Sequence, residues 1–333
     1  MSVGEFDYVI VGAGSAGCML AYRLGEDRAK RILILEAGED HRDLVLKMPL
    51  GIAKVFRAPM YNWSYTSEPE PYLDGRRIDH PRGKLVGGSS AINAMAYVRG
   101  HRADYDRLPQ MGLKGWSYAE VLPYFKRAET FDGGGNTYRG SQGPWHVHVN
   151  LPDHDVARAF LDAGRELGNA VLDDYNGAEQ EGFAPHQSTI YRGRRDGNAE
   201  AFLKPAIRRG NVQLRTGAHV TRLLTAGGRV LGVEYLRNGK KGQARASADV
   251  ILSGGAINSP QLLMLSGIGP SAHLKEIGIA PVVDLPGVVG ADDVGMIEPG
   301  EHPHIAKEFV ELGIGRLCGR TYDFDGIARR MAD

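Results

Sequence analysis

The sequence predicts an α/β protein, because apolar strands and helices alternate around two glycine-rich junctions. Residues 6–37 contain an apolar strand, the turn GAGSAG, a helix that carries alanines, and a second apolar strand that ends at Glu36. A second junction of strand, glycines and helix follows at residues 249–269. Such alternation is typical of a sheet covered by helices.

The first junction has the pattern of a dinucleotide-binding unit. Gly12 permits a sharp turn, Gly14 permits close approach of the backbone to a pyrophosphate, and Gly17 permits the helix to pack on the strand. The first amides of the helix would then face the phosphates. Glu36, about twenty residues after the last glycine, would accept hydrogen bonds from a ribose diol and disfavour a 2′-phosphate. We therefore expect a Rossmann-like FAD- or NAD(P)-binding domain.

The next part of the chain predicts a loop followed by mixed elements. Residues 61–71 carry aromatics and prolines and are expected to form an extended loop with short strands, which either covers a bound cofactor or is anchored on the core. Residues 116–129 predict a helix that starts with the capping box SYAE. Residues 145–149 alternate like a strand, and residues 156–168 predict an amphipathic helix.

Later segments predict a hairpin and the second junction. Residues 211–236 alternate around the turn Gly227-Gly228, which indicates a β-hairpin. Residues 249–254 predict a buried strand that leads through GGAINSP into the apolar helix QLLMLSGIG. The run RGRRDG at residues 192–197 predicts an exposed turn.

Composition favours a protein that binds a small molecule. The 333 residues suffice for two domains, and 40 basic and 40 acidic residues cancel, which disfavours nucleic acid as a partner. Cys18 and Cys318 are too few for a disulfide framework or a cysteine-based metal site. No signal-peptide pattern and no run of about eighteen apolar residues is present. We expect a cytoplasmic protein without a membrane span, and leave open peripheral attachment to the inner face of a membrane.

A second informative block reads PRGKLVGGSSAINAMAYVRG and occupies residues 81–100. Its paired glycines and serines expose amides and hydroxyls, which suit a phosphate or a ring edge rich in acceptors. Asn93 can donate and accept hydrogen bonds at once. Taken alone, the same pattern is also that of a tight turn.

Residues 83–106 and 255–269 resemble the two signature stretches of the glucose-methanol-choline (GMC) oxidoreductases, flavoenzymes that oxidise alcohols. With the glycine turn and the run GWSYAEVLPYFKRAE, the resemblance extends from residue 6 to residue 288 and is nearest to the choline dehydrogenase-like alcohol dehydrogenases. It matches the N-terminal portion of that family and leaves the C-terminal tail unmatched.

The resemblance implies a GMC-type FAD-binding domain at residues 1–148 and 195–288. Residues 149–194 would be part of an α+β substrate domain with an antiparallel sheet, and that domain would be incomplete. Residues 289–333 form an unassigned tail, and the usual C-terminal domain of the family is not found in the sequence.

The resemblance also implies which residues hold FAD. The pyrophosphate and ribose would be held by Gly12, Gly14, Ser15, Ala16, Gly17, Glu36 and Ala37. The flavin and ribityl chain would lie along Gly88, Ser89, Asn93, Ala94, Met95 and Ala96, with Trp63 in the loop over the flavin and Val220 at the adenine. Relatives with covalent FAD carry a histidine just before the asparagine, where Ile92 stands here. Non-covalent FAD is therefore expected.

The implied reaction oxidises a primary alcohol or a choline-like substrate to the aldehyde. A base takes the hydroxyl proton, hydride passes to flavin N5, and an electron acceptor reoxidises the flavin. In relatives the base is a histidine in the C-terminal half, so the catalytic residue is unassigned here. The alternative is a catalytically incomplete FAD-binding fragment or fusion product without turnover. An oligomer or a complementing chain would then cover the open edges of the substrate sheet.

Three further patterns receive no catalytic or metal role. The sequence EHPH at residues 301–304 predicts a solvated turn, because no other ligands have metal spacing. His146 and His148 share a strand face and are expected to be half-buried. Ser259 lacks the GxSxG elbow of a hydrolase. A nicotinamide dehydrogenase is disfavoured because the glycine-serine block and the second signature have no role in it.

Overall fold

The computed structural model describes residues 2–150 and 154–287, and the chain divides into two compact units. The first unit contains the chain up to Arg42, Ala53–Ile92 and the described chain from Asn198 onward; the second contains Asp43–Ile52 and Asn93–Gly197. Packing thus groups residues 93–148 with the second unit, whereas the sequence analysis assigns them to the FAD-binding domain. The functional domain bounds stay a prediction.

Short helices and strands alternate along the described chain. The strands are β1 Ser2–Val11, β2 Ile32–Leu35, β3 Tyr65–Thr66, β4 Asp79–His80, β5 Glu129–Phe131, β6 Trp145–Val149, β7 Gln187–Ser188, β8 Ile190–Tyr191, β9 Arg194–Arg195, β10 Val212–Arg215, β11 His219–Ala226, β12 Arg229–Arg237, β13 Lys240–Leu252, β14 Ile268–Gly269 and β15 Val283–Asp284. The α-helices are α1 Ser15–Leu24, α2 Leu44–Lys47, α3 Ile52–Val55, α4 Arg102–Gln110, α5 Tyr118–Ala128, α6 Asp155–Glu166, α7 Lys204–Arg208, α8 Gly255–Leu265 and α9 Ser271–Glu276. Short 3₁₀-helices lie at Pro49–Gly51, Pro59–Tyr61, Pro71–Leu73 and Gly88–Ala91, and a π-helical turn lies at Ala199–Leu203.

A six-stranded sheet with the order β10-β2-β1-β13-β12-β11 organises the first unit. The four strands from β10 to β13 are parallel, and β12 and β11 continue the sheet antiparallel. All four residues of β2 are buried, as expected for a parallel strand that is covered on both faces. Val9, Leu33, Val233 and Ala244 lie in one apolar core against this sheet. The predicted strand, turn, helix and strand at the start of the chain are confirmed.

The second junction differs from its prediction at both ends. The strand predicted for residues 249–254 begins already at Lys240, because residues 240–245 pair antiparallel with β12 and residues 243–252 pair parallel with β1. The helix expected after Pro260 begins at Gly255 and contains that proline. A proline removes one N–H donor and is tolerated in the first turn of a helix. The sequence pattern therefore predicts a helix start near Pro260, which is later than the observed start at Gly255.

The hairpin prediction is confirmed in its main part. Strands β11 and β12 pair around Gly227 and Gly228, which have positive φ angles of 57° and 73°. Residues 212–215 do not belong to the hairpin, since they form β10 and lie parallel beside β2. An alternating pattern does not reveal which neighbour a strand pairs with.

The second unit contains the small sheet β5-β6-β7 and the helices predicted for this region. Helix α5 begins at the predicted capping box, in which the Glu120 carboxylate accepts hydrogen bonds from the Ser117 N–H at 3.0 Å and from its hydroxyl at 2.5 Å. Strand β6 and helix α6 lie where alternation and amphipathic spacing predict them.

A buried cluster of charges lies beside this small sheet. Glu129 accepts two hydrogen bonds from Arg139, at 2.9 and 3.2 Å, and one from Arg99 at 2.8 Å. Arg139 is fully buried, donates to Asp174 at 2.7 Å, and lies over the Phe131 ring at 3.6 Å from its centroid. Burial pushes the pKa of Glu129 upward, but the hydrogen bonds and charges of the two arginines outweigh it and hold that pKa below its usual range. Glu129 therefore stays ionised at neutral pH.

We expect Glu129→Gln to destabilise the protein by about 3–5 kcal/mol, because it leaves two buried guanidinium groups without their common carboxylate. Urea unfolding followed by circular dichroism measures the change in free energy. The matched control is Glu68→Gln, which breaks an exposed pair with Arg77 and should change stability by less than about 0.5 kcal/mol. Equal effects of the two substitutions would contradict the assigned role of the buried cluster.

Candidate cofactor-binding site

The glycine turn between β1 and α1 is built by direct backbone contact. Gly12 has a φ of +99°, and a Cβ placed on it would lie 2.6 Å from the carbonyl oxygen of Ser253. A Cβ on Gly17 would lie 2.0 Å from the carbonyl oxygen of Gly12. Both positions therefore require glycine: one for the turn and the contact with the end of β13, the other for the packing of α1.

Gly14 has a different environment from its two neighbours in the motif. A Cβ there would find its nearest atom, the Ser253 carbonyl oxygen, at 3.9 Å, which is an ordinary contact. Gly88 approaches it from the glycine-serine block, since a Cβ on Gly88 would lie 2.8 Å from the Gly14 Cα. The Gly87 N–H also donates to the Ala13 carbonyl at 2.8 Å. The turn and the block are therefore in direct backbone contact.

The start of helix α1 adjoins this contact. Ser15 and Ala16 are exposed, and no side chain caps the described first turn of the helix. Unsatisfied amides and the helix dipole favour an anion at this position. The narrow, side-chain-free cradle and the exposed amides fit a pyrophosphate group.

Glu36 connects the end of β2 to the glycine turn. Its carboxylate accepts hydrogen bonds from the N–H of Ala13 and of Gly38, each at 2.8 Å, and its side chain is buried. Burial raises the pKa of Glu36, and the two amide hydrogen bonds oppose that effect. The Ala218 N–H donates to the Glu36 carbonyl at 2.8 Å and so brings the start of β11, with the buried Val220, to the same place. Each carboxylate oxygen keeps a further lone pair for a hydroxyl group.

Trp63 lies in an aromatic cluster that joins four segments of the first unit. Its ring stacks on Tyr65 at 6.0 Å and meets His219 edge-on at 5.5 Å, while the Lys84 ammonium lies 4.6 Å from its centroid. The Tyr65 hydroxyl donates to Asn258 Oδ1 at 2.5 Å. These contacts anchor the loop on the rest of the first unit, and its expected position over a cofactor stays a prediction.

Ser89 bonds within its own loop, because its hydroxyl accepts a hydrogen bond from the Gly83 N–H at 3.1 Å. The neighbouring Ser90 is buried and donates to the Gly87 carbonyl at 2.7 Å. The Asn198 N–H in turn donates to the Ser90 hydroxyl at 3.0 Å. The backbone of the block is thus held in place by its own hydroxyl groups.

Residues 93–96 belong to the second unit and are held there by several hydrogen bonds. Asn93 Oδ1 accepts from the Met95 N–H at 3.0 Å, and Met95 has a φ of +61°. The Met95 carbonyl accepts from the Thr189 N–H at 2.8 Å. Ala94 and Ala96 are exposed on either side of the buried Met95.

Arg195 is buried, although the sequence of its segment predicts an exposed turn. Residues 192–194 are exposed, but Arg195 and Asp196 are buried, so the prediction for residues 192–197 is wrong in its second half. The reason is that β8 and β9 pair as a hairpin around Arg192-Gly193, so that successive side chains point to opposite faces. The Arg-Gly pair, with positive φ at both positions, is the signal that could have revealed the hairpin.

The histidines of β6 are bonded to carboxylates. His146 is half-buried and its Nδ1 lies 3.0 Å from Asp196, whereas His148 is exposed and lies 2.5 Å from Asp132. Half-burial is thus confirmed for His146 and wrong for His148. Within residues 2–150 and 154–287, no group of three or more His, Cys, Asp or Glu side chains is arranged for a metal ion.

Three further expectations concern Ser259, the C-terminal tail and membrane-spanning helices. Ser259 accepts a hydrogen bond from the Gly254 N–H at 3.1 Å, which is a local structural contact at the start of α8. The tail, including residues 301–304 and Cys318, lies outside the described residues. None of the described helices is long and apolar enough to cross a membrane.

Comparison with known proteins identifies relatives over most of the chain. The model of the GMC oxidoreductase family matches residues 6–305. The oxygen-dependent choline dehydrogenase of Sinorhizobium fredii is 49% identical over 284 residues, which are 85% of this chain and 52% of that protein. The corresponding protein of Brucella ovis is 47% identical over the same shares. The chain therefore spans about half the length of the curated relatives it matches.

Solved structures agree with these matches. Pyridoxine 4-oxidase from Mesorbium loti superposes with a TM-score of 0.81 at 37% identity, over 85% of this chain and 56% of that one. Formate oxidase from Aspergillus oryzae, in a study of its FAD modification, gives 0.79 at 31% identity, over 86% of this chain and 52% of that one. The predicted fold class, the predicted resemblance and FAD as the cofactor are confirmed.

We expect His219 to make the stability of the protein depend on pH. Desolvation in the aromatic cluster, followed by the charge of Lys84, lowers the pKa of His219 from its usual 6.5. The unfolded chain therefore takes up a proton first as the pH falls, and stability is lost below about pH 6.5 toward the lowered pKa. Urea unfolding at about pH 8 and about pH 5.5 measures this loss.

The control for this prediction is the His219→Asn variant, which should lose less stability between the two pH values than the wild type. Lys84→Gln should act in the same direction, since it removes the charge that lowers the histidine pKa. An unchanged pH dependence in both variants would show that another group is responsible.

Proposed function

Because this chain belongs to the GMC oxidoreductase family, we propose that it is part of an FAD-dependent enzyme that acts on the CH–OH group of a primary alcohol or a choline-like substrate. Bound FAD supplies the hydride acceptor, so that the substrate leaves as the aldehyde. An electron acceptor is then required to restore the cofactor.

One observation carries the cofactor part of the proposal: the backbone cradle formed by the glycine turn, Gly88 and the start of α1. A pyrophosphate needs close approach of backbone amides and a positive potential, and the cradle provides both. The close contacts at Gly12, Gly17 and Gly88 exclude side chains from it. At Gly14, in contrast, a Cβ would meet no close protein atom. The fold therefore does not require glycine at this position, and we attribute the absence of a side chain to ligand binding.

We assign the adenosine end of FAD to the same unit. The exposed amides of Ser15 and Ala16 would hold phosphate oxygens. Glu36 would accept hydrogen bonds from the ribose hydroxyls on the lone pairs that its own amides leave, with Ala37 beside it. The backbone of Val220 would contact the adenine.

The flavin end would lie along Gly88, Ser89 and the segment Asn93–Ala96, with Trp63 in the loop over the ring. Ile92, which precedes that segment, is buried and aliphatic. It offers no nucleophile, so FAD is expected to bind without a covalent bond.

We assign no general base among the described residues. Such a base must reach the substrate hydroxyl within about 3.2 Å and have a pKa near the working pH. His146 and His148 each hold a carboxylate through Nδ1, which suits a structural role in β6. We place the protein in the cytoplasm, as the sequence analysis expects, with a small-molecule alcohol as its partner.

We expect the purified protein, loaded with FAD, to show the yellow flavin absorption band, and anaerobic addition of its alcohol to bleach that band. A panel of primary alcohols and choline, followed by absorption spectroscopy, makes the test. A band that no alcohol bleaches would support the alternative, which is FAD binding without turnover. A protein that takes up no FAD contradicts both readings.

We expect Gly14→Ala to fold like the wild type and to bind FAD at least tenfold more weakly, which corresponds to about 1.4 kcal/mol. The added methyl group meets no close protein atom but lies where the backbone should approach the pyrophosphate. An FAD titration measures the affinity, and thermal unfolding checks the fold. Gly4→Ala in β1 makes the same chemical change with an ordinary contact at 3.7 Å and should leave FAD affinity unchanged. Equal affinities of the two variants would remove Gly14 from the site.

A further inference from the structure

We propose that Arg195 is a positioning residue, which fixes the conformation of the Asn93–Ala96 segment and thereby prepares it for the flavin. The proposal rests on the proposed function, which places this segment along the flavin. It concerns a residue that sequence reasoning places at the surface and that the structure buries.

The contacts of Arg195 go to oxygen atoms that are far apart in sequence. Its Nη1 donates to the Asn93 carbonyl at 2.6 Å and to Asn93 Oδ1 at 2.8 Å, and its Nε donates to the Leu46 carbonyl at 3.1 Å. A guanidinium group holds its donors in a rigid planar fork. Arg195 therefore fixes the backbone and the side chain of Asn93 in one orientation.

The side-chain oxygen of Asn93 accepts a second hydrogen bond, from the backbone of Met95. This bond from the Met95 N–H measures 3.0 Å, and Met95 adopts the left-handed conformation with a φ of +61°. This conformation is costly for a residue with a side chain and persists only where the surroundings impose it. Arg195 holds the oxygen that imposes it, so the exposed Ala94 and Ala96 depend on Arg195 for their placement.

Arg195 also brings a positive charge to this segment. Burial lowers the pKa of its guanidinium to about 10, so it stays protonated at neutral pH. A buried cation beside the segment favours negative charge there more strongly than a cation in water would. If the flavin lies along this segment, the cation stabilises the reduced cofactor and raises its reduction potential.

The test compares Arg195→Gln and Arg195→Lys with the matched control Arg194→Gln. Arg194 precedes Arg195 in the same hairpin and is exposed. Hydrogen–deuterium exchange of the protein without FAD measures protection of the peptide that contains residues 93–97. We expect faster exchange in Arg195→Gln, an intermediate rate in Arg195→Lys because it keeps the charge but loses the fork, and wild-type protection in Arg194→Gln.

The second measurement is the FAD dissociation constant and the flavin reduction potential of each variant. We expect Arg195→Gln to bind FAD at least tenfold more weakly and at a more negative potential, with partial rescue by guanidinium ion far below denaturing concentrations. Rescue distinguishes positioning by the guanidinium group from a general loss of structure. If Arg195→Gln does not fold, Asn93→Ala removes the oxygen that Arg195 and the Met95 N–H share, and faster hydrogen–deuterium exchange of residues 93–97 is expected in this variant; wild-type exchange would overturn the proposal.

Wild-type exchange rates in Arg195→Gln and Arg195→Lys would overturn the proposal. So would unchanged FAD affinity and potential in a variant whose segment 93–97 exchanges faster, since the segment would then not serve the flavin. If the wild type itself takes up no FAD, the proposed function fails, and the exchange experiment alone still decides whether Arg195 fixes the segment.

Discussion

The first unit depends on contact of backbone with backbone at the end of β1. Gly12 lies against the Ser253 carbonyl, Gly17 against the Gly12 carbonyl, and Gly88 against the Gly14 Cα. These contacts bring the end of β13, the first turn of α1 and the glycine-serine block to one place. Because no side chain fits between them, the surface that remains consists of amides and carbonyls. Such a surface recognises phosphate through geometry and dipoles and needs no charged side chain.

The second unit is stabilised by buried charged side chains beside a small apolar cluster. Its small sheet offers few apolar residues, with Tyr97, Phe131 and Val147 as the buried apolar residues of its cluster. Glu129 and Arg139 are buried beside them and satisfy each other through paired hydrogen bonds. A buried charge is tolerated when it is paired and hydrogen-bonded, and its removal exposes the partner to a large desolvation cost. The first unit is therefore sensitive to substitutions that add side-chain volume at its glycines. The second unit is sensitive to substitutions that remove one of its buried charges.

The sequence predicts the parts of this fold that depend on local chemistry. The glycine turn, the capping box at Ser117 and the Gly227-Gly228 hairpin each have a cause within a few residues, and all three are found. The predictions are wrong where a partner that is distant in sequence determines the secondary structure or the burial of a segment. Residues 240–248 form a strand because β12 and β1 lie beside them, although their composition is polar. Arg195 is buried because the hairpin turns it toward Asn93, which lies 102 positions earlier in the chain. The Arg192-Gly193 turn is a local signal of the hairpin, but no local pattern shows which distant residues a strand will meet.

Glu36 and Arg195 illustrate what a buried polar side chain does when backbone groups hold it. The carboxylate of Glu36 receives two amide N–H groups, and the guanidinium of Arg195 donates to two backbone carbonyls and one amide oxygen. An ion pair such as Glu129–Arg139 fixes two side chains, whereas a charge that is bonded to the backbone fixes the backbone itself. A site that recognises its ligand through main-chain atoms needs that second kind of restraint, because its recognition geometry is the path of the chain. An apolar residue of equal volume could replace the packing of Glu36 or Arg195 but not the direction that each imposes on the neighbouring peptide groups.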